Sequence, residues 1–170
     1  MDNTFAKRLV NARKIRCMSQ RDLCNALQGQ ISPAAIEKYE KGQMMPSSSV
    51  LILLSKALNM KLDYFFRPFT VAIDTSKFEF RKKSKMGAKK VESVKYMVCT
   101  EIEKYIEIES ILSNNTTFTL DYSNVLVEGE SEAKLLAKRL RDDLKIGSDA
   151  IVSAVELLES CGVKIIEIDY

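Results

Sequence analysis

The chain contains no histidine. That absence excludes imidazole acid/base chemistry, Ser-His and Cys-His nucleophile systems, and any His-ligated metal. Most hydrolase machinery goes with it. Long apolar runs are missing as well: the longest, Val50 to Leu54, is five residues, where a membrane-spanning helix needs about 20. The N-terminus is amphipathic and charged and lacks the continuous apolar stretch of a secretory signal. A cytoplasmic location with no membrane partner is therefore expected. The four cysteines, Cys17, Cys24, Cys99 and Cys161, show no paired spacing, and isolated cysteines in a cytoplasmic chain are usually small core hydrophobes. No metal, no cofactor and no enzymatic activity are expected.

What is present is a strong division of charge. At 170 residues there is room for one medium domain or two small ones. The net charge of +3 conceals that residues 1–90 hold 18 Lys/Arg against 7 Asp/Glu, a net of +11, while residues 91–170 hold 8 against 16, a net of −8. A basic half joined to an acidic half suggests that one half meets a polyanion and the other does not. Two solvated surfaces of opposite sign are the plainer alternative.

The first 67 residues read as five short helices. Phe5, Leu9, Ala12 and Ile15 or Arg16 mark the inner face of the first, roughly residues 3–16. Ser19 caps the second, with Leu23, Cys24 and Leu27 inward. The third spans about residues 32–41 and stops at Gly42. Pro46-Ser-Ser-Ser starts the fourth, where Val50, Leu51, Leu54 and Leu58 recur at helical spacing, and a last short helix carries Tyr64, Phe65 and Phe66. After Arg67-Pro68 the pattern alternates at Phe69, Val71 and Ile73 and again at Phe78 and Phe80, as in short strands. A basic run, Arg81 to Lys85 with Lys89 and Lys90, follows; it reads first as a solvated face, with direct DNA contact as the alternative. One long helix is expected over about residues 87–112, striped by Val91, Val94, Val98, Ile102 (or Glu101), Tyr105, Ile108 and Leu112. Its packing on later segments of the chain or on a second copy is open. Residues 118–127 are undecided between strand and loop. A helix over residues 131–145 is expected to turn Ala133, Leu136, Ala137, Leu140 and Leu144 inward. Ser148 then caps a helix through Leu158, and Val163 to Ile168 reads as a strand.

Met18 to Gly42 is the most informative stretch: two short helices joined by a tight corner. Ser32 is a strong N-cap, and Pro33 gives up a donor that the helix end leaves unpaired anyway. The second of these helices turns Ile36 and Tyr39 inward and Ala34, Ala35 and Lys38 outward. A face that small and mildly basic enters a DNA major groove without steric conflict.

With its surroundings, this stretch resembles the helix-turn-helix domain of the Cro/CI-like (XRE) repressor family. The matching residues are Leu9, Arg13, Ser19-Gln20, Leu23, Leu27, Ile31-Ser32, Ile36, Tyr39-Glu40-Lys41-Gly42, Pro46, Leu51, Leu54, Ala57-Leu58 and Asp63 to Phe66. The resemblance implies a lambda-repressor-like five-helix domain with double-stranded DNA as its partner. It implies that Gln20 touches a phosphate and braces the recognition helix, that Ala34, Ala35 and Lys38 lie where the family reads base edges, and that Arg13 and Glu40 form an internal ion pair. The DNA-binding residues are then Gln20, Arg21, Ser32, Pro33, Ala34, Ala35, Lys38 and Lys41. The chain departs from the family at three points: a four-residue turn, Gln28 to Ile31; Cys24 in place of alanine; and Cys17 in place of glycine. Alanine meets a thymine methyl but makes none of the bidentate bonds worth about 1–3 kcal/mol of discrimination each. Affinity is therefore expected to lean on phosphates and to fall steeply with salt.

A second likeness begins later. Phe78 to Lys85, the acidic helix with Glu103 to Glu109, and the final helix, helix and strand are similar to the middle of repressor–metallopeptidase fusions of the ImmA/IrrE type. That family's His-Glu-x-x-His zinc motif has no counterpart here, so none of its catalysis carries over. The expected fold is mainly α. A DNA-binding domain (residues 1–68) precedes a basic β-like linker (69–86) and a small α+β region (87–170) with a long helix, a partial peptidase-like domain serving dimerisation or partner binding. The expected function is sequence-specific repression, of phage, mobile-element or antitoxin type, by a homodimer whose acidic half offers a surface for a protein partner. The alternatives are a non-catalytic N-terminal regulatory fragment of an ImmA/IrrE-type zinc metallopeptidase, and an interaction protein that no longer binds DNA.

Overall fold

Three serines set the starts of three consecutive helices. In each case the serine hydroxyl accepts the backbone N–H three residues on: Ser19 from Asp22, Ser32 from Ala35 and Ser47 from Val50. A cap of this kind is worth about 1 kcal/mol. In the computed structural model, which describes residues 3–70, 86–114, 117, 118, 120, 122 and 124–168, these caps open α2 (Gln20–Ala26), α3 (Pro33–Glu40) and α4 (Ser48–Leu58). They follow α1 (Thr4–Ile15), and a 3-10 helix, Leu62–Phe66, closes the module. Gly42, with φ +68°, ends the turn after α3, and a Cβ there would lie 2.1 Å from Asn3 Oδ1.

The helices meet on a single core. Phe5, Leu9 and Ala12 of α1 pack with Leu23, Leu27, Ile31, Ile36, Tyr39, Leu54, Leu58 and Phe65. Burying each large side chain here is worth about 1.5–3 kcal/mol. At the end of α1, Ile15 is half-buried and Arg16 exposed, which assigns the inner position to isoleucine. Phe66, expected with its neighbours in the last helix, is 51 % exposed.

A charged residue completes the module where sequence periodicity offers none. Arg8 is 1 % exposed. Its Nε and Nη2 donate to the carbonyls of Arg67 and Pro68 at 2.9 and 2.8 Å, and Nη1 pairs with Glu103 Oε2 at 2.7 Å. Its guanidinium lies 3.8 Å from the centroid of the Phe69 ring. Glu103 belongs to the long helix α5 (Ala88–Ile111), which therefore docks on the module through a buried ion pair.

The chain forms two compact units, one built on residues up to Ile108 and the other spanning Glu109–Glu167. The division falls inside α5, whereas the linker expected at 69–86 lies mostly outside the described residues. The same holds for the strands expected around Val71, Ile73, Phe78 and Phe80 and for the basic run Arg81 to Lys85.

The second unit corrects several expectations. It holds α6 (Glu130–Asp143) and α7 (Ala154–Ser160), and neither helix buries a residue. Of the positions expected inward on α6, Leu136, Leu140 and Leu144 are half-buried while Ala133 and Ala137 are exposed. Ser148 does not cap a helix. Ser153 does, accepting from Glu156 N at 3.2 Å. Val163 to Ile168 does not form the expected strand, and no strand occurs among the described residues. A strand needs a ladder of backbone hydrogen bonds to a neighbour, and no described segment supplies one. The C-terminal region is thus helical, not α+β, over its described residues. Gly162 is its tightest point: with φ +88°, its Cβ would lie 2.4 Å from the Thr117 carbonyl oxygen.

Candidate nucleic-acid interface

The corner between α2 and α3 is held by one carboxylate. Glu40, at the last position of α3, receives Arg13 Nε at 2.5 Å and Nη2 at 2.8 Å, and Gln20 Nε2 at 2.7 Å. Arg13 Nη1 also donates to the Met18 carbonyl at 2.9 Å. Three helices therefore converge on Glu40: α1 through Arg13, α2 through Gln20, and α3 itself. Fork-to-fork pairing of this kind fixes orientation as well as adding energy. The ion pair drawn from the family resemblance is present, and Gln20 braces α3 by a direct hydrogen bond.

The turn between α2 and α3 is as long as the sequence suggested. Gln28 and Gly29 both take left-handed conformations, with φ +54° and +72°, and the chain regains the core at Ile31. The Cys24 thiol, at the helix crossing, donates to the Ile31 carbonyl at 3.1 Å. Cys17, in the corner between α1 and α2, has φ +56°. That is a backbone position suited to glycine, which explains why the family residue there is glycine.

On α3 the outward face consists of Pro33, Ala34, Glu37, Lys38 and Lys41, all exposed, behind an exposed Ser32. Ala35, expected outward, is half-buried and packs against the core. Its azimuth lies on the side of Ile36 and Tyr39, 100° per residue having carried it past the exposed arc. Glu37 belongs to this face as well: three residues after Ala34 and one before Lys38, it projects between them. Lys41 Nζ donates to Glu37 Oε1 at 2.5 Å, and this contact holds the Glu37 carboxyl below its usual range. The face thus carries a carboxylate able to accept from a cytosine amine, and one of its two lysines is already partnered. Arg21 projects from the first turn of α2 and is exposed.

Asp22 completes a reciprocal capping box, accepting from Ser19 N at 2.7 Å while Ser19 Oγ accepts from Asp22 N at 3.1 Å. Hydrogen bonds from the Ser19 backbone and hydroxyl, and then from Lys89, hold its carboxyl at about 2. Among the described residues no group of three His, Cys, Asp or Glu converges as a metal site requires. None of their helices is long and apolar enough to cross a membrane.

With this geometry in place, the comparison with known proteins is direct. Residues 11–65 match the family model described as helix-turn-helix. No curated protein and no solved structure matched the chain. The matched segment contains α2, α3, the Glu40 clamp and α4, and the fold and the match together define residues 11–65 as a helix-turn-helix domain of the XRE type, which supports a DNA-binding transcription regulator. The match ends at residue 65, and the likeness of the C-terminal part to ImmA/IrrE-type proteins is not supported by it.

Proposed function

We propose that this chain is a non-enzymatic, cytoplasmic repressor that binds a two-fold operator as a homodimer, of the kind used by phages, mobile elements or antitoxins. The observation that carries the reading is the Glu40 clamp. It orients an α3 whose exposed face is small at Pro33 and Ala34 and charged at Glu37, Lys38 and Lys41. Such a helix enters the major groove N-terminus first, and a dimer sets two of them about one helical turn apart. Base readout is modest: Ala34 against a thymine methyl and Glu37 against a cytosine amine. Most of the affinity comes from phosphates contacted by Gln20, Arg21, Lys38 and Lys41. Assembly uses the apolar end of α5 and its continuation, where Ile108, Ile111 and Leu112 are 56, 74 and 68 % exposed.

Selection of a duplex from a random pool, followed by fluorescence anisotropy across a salt series, tests this directly. The expected result is a palindromic site and a slope of log affinity on log salt steeper than that of about two phosphate contacts. A shallow slope without site preference overturns the reading. Sedimentation at micromolar concentration checks the dimer, and a strictly monomeric mass removes that part.

A further inference from the structure

The first turn of α5 is held against the corner of the helix-turn-helix module. Lys89 Nζ lies 3.3 Å from Asp22 Oδ2, Lys14 Nζ lies 2.7 Å from Glu92 Oε2, and the fully buried Ser93 donates its hydroxyl to the Ile15 carbonyl at 2.7 Å. Farther along, Glu103 pairs with Arg8 and Glu107 with Arg67. The five α5 residues share one side of the helix, falling within about a 100° arc at 100° per residue. A slip of one helical turn displaces all of them by about 5.4 Å, so the register of α5 on the module is set.

That register puts Lys89 beside the start of α2, with Lys90 next to it in sequence. Asp22 is the third residue of α2, and Gln20, the expected phosphate contact, is its first. Between them and α5 is a cavity of about 280 Å³ whose walls include Lys14, Ser19, Gln20, Lys89 and Glu92. The Lys89–Asp22 pair is exposed on both sides, 65 and 48 %, and exposed pairs of this kind contribute little and exchange readily.

We infer that the start of α5 is a second phosphate-gripping element: Lys89 and Lys90 hold the DNA backbone next to the phosphate contacted by Gln20, extending the footprint beyond the helix-turn-helix. This rests on the DNA-binding reading above. Phosphate contacts position a protein without reading sequence, so both lysines add affinity to selected and unselected duplexes alike.

The test uses the full-length chain, the selected duplex and a scrambled one. Lys89→Ala with Lys90→Ala is expected to make the salt slope shallower by about 0.9 for each lost phosphate contact, equally on both duplexes. Asp22→Asn, which removes the same ion pair but keeps the lysine, is expected to retain or raise affinity. An unchanged slope in the double variant, or equal losses from Lys89→Ala and Asp22→Asn, overturns the inference while leaving the DNA-binding reading intact. Wild-type chain that binds no duplex removes both. Lysine acetylation read by mass spectrometry gives an answer independent of any variant: Lys89 is expected to be protected when the selected duplex is added, and continued reactivity counts against the contact.

Discussion

The helix-turn-helix module and the 109–167 unit are built from similar helices and end in different states. Both contain amphipathic segments with leucines three and four residues apart and serine-capped starts. In the first, the stripes of α1, α3, α4 and the 3-10 helix face one another, and eleven residues form one core. In the second, α6 and α7 bury nothing, while Leu126, Leu135 and Val155 are 86, 71 and 50 % exposed. Periodicity makes a helix amphipathic. It makes a core only where several stripes converge. Exposed apolar surface of this kind marks a binding region or an aggregation liability, and the proposed assembly role gives the second unit the first of these meanings.

The contrast is breakable, most sharply at Arg8. Arg8→Met leaves the buried Glu103 carboxylate without its partner and is expected to cost about 3–5 kcal/mol in the first unit. Adding Glu103→Leu is expected to restore most of that loss, as read by chemical denaturation in a double-mutant cycle. A single variant as stable as the wild type would show that the ion pair does not hold α5.

Leucine truncation compares the two regions directly. Leu54→Ala is expected to cost about 2–5 kcal/mol, since that side chain is fully buried. Leu135→Ala on α6 is expected to stay within about 0.5 kcal/mol. Equal losses would mean that α6 is covered in solution, as a dimer interface would cover it.

A gain is expected inside the well-packed module. Cys17→Gly relieves a side chain held at φ +56° and is expected to add about 1 kcal/mol, seen as a higher thermal midpoint. No gain there would show that the corner tolerates a left-handed thiol without strain.

The smallest effect is a pH step. The Asp22 carboxyl is depressed from 3.8 to about 2, so its contribution is present above the ordinary value and is lost as pH falls through the lower one. Asp22→Asn is expected to flatten the acid side of the melting curve in that window. Carbon-detected titration of the side chain checks the midpoint, and an ordinary value would deny the capping box in solution.

Local signals in the chain were reliable where the physics is local. Ser19, Ser32 and Ser47 start helices by bonding three residues ahead, and Gly42 ends a turn that only a left-handed residue can make. The apolar core positions of α1 to α4 follow from spacing, but the buried Arg8 does not. The exposed face of α3 was legible except at two places. Ala35 is drawn inward by the packing of α3 on the core, and Glu37 follows from the same helical spacing, between Ala34 and Lys38. The clamp at Glu40 came from family resemblance, because the pairing of residues 27 apart has no signature of its own.

By itself, the sequence determined the helices of the first module, the caps of α2 to α4, the helix-turn-helix corner and the separation of basic from acidic halves, all of which depend on neighbours within a few positions. Only the tertiary structure decided that Arg8 would be buried against a glutamate 95 residues away. It likewise decided that Ser93, not a hydrophobic residue, would be the most buried residue of α5, and that Val163 to Ile168 would form no strand. Each of these depends on which surfaces meet. A charge is buried, or a strand paired, only when a distant partner arrives at hydrogen-bonding distance, and no local pattern encodes that arrival.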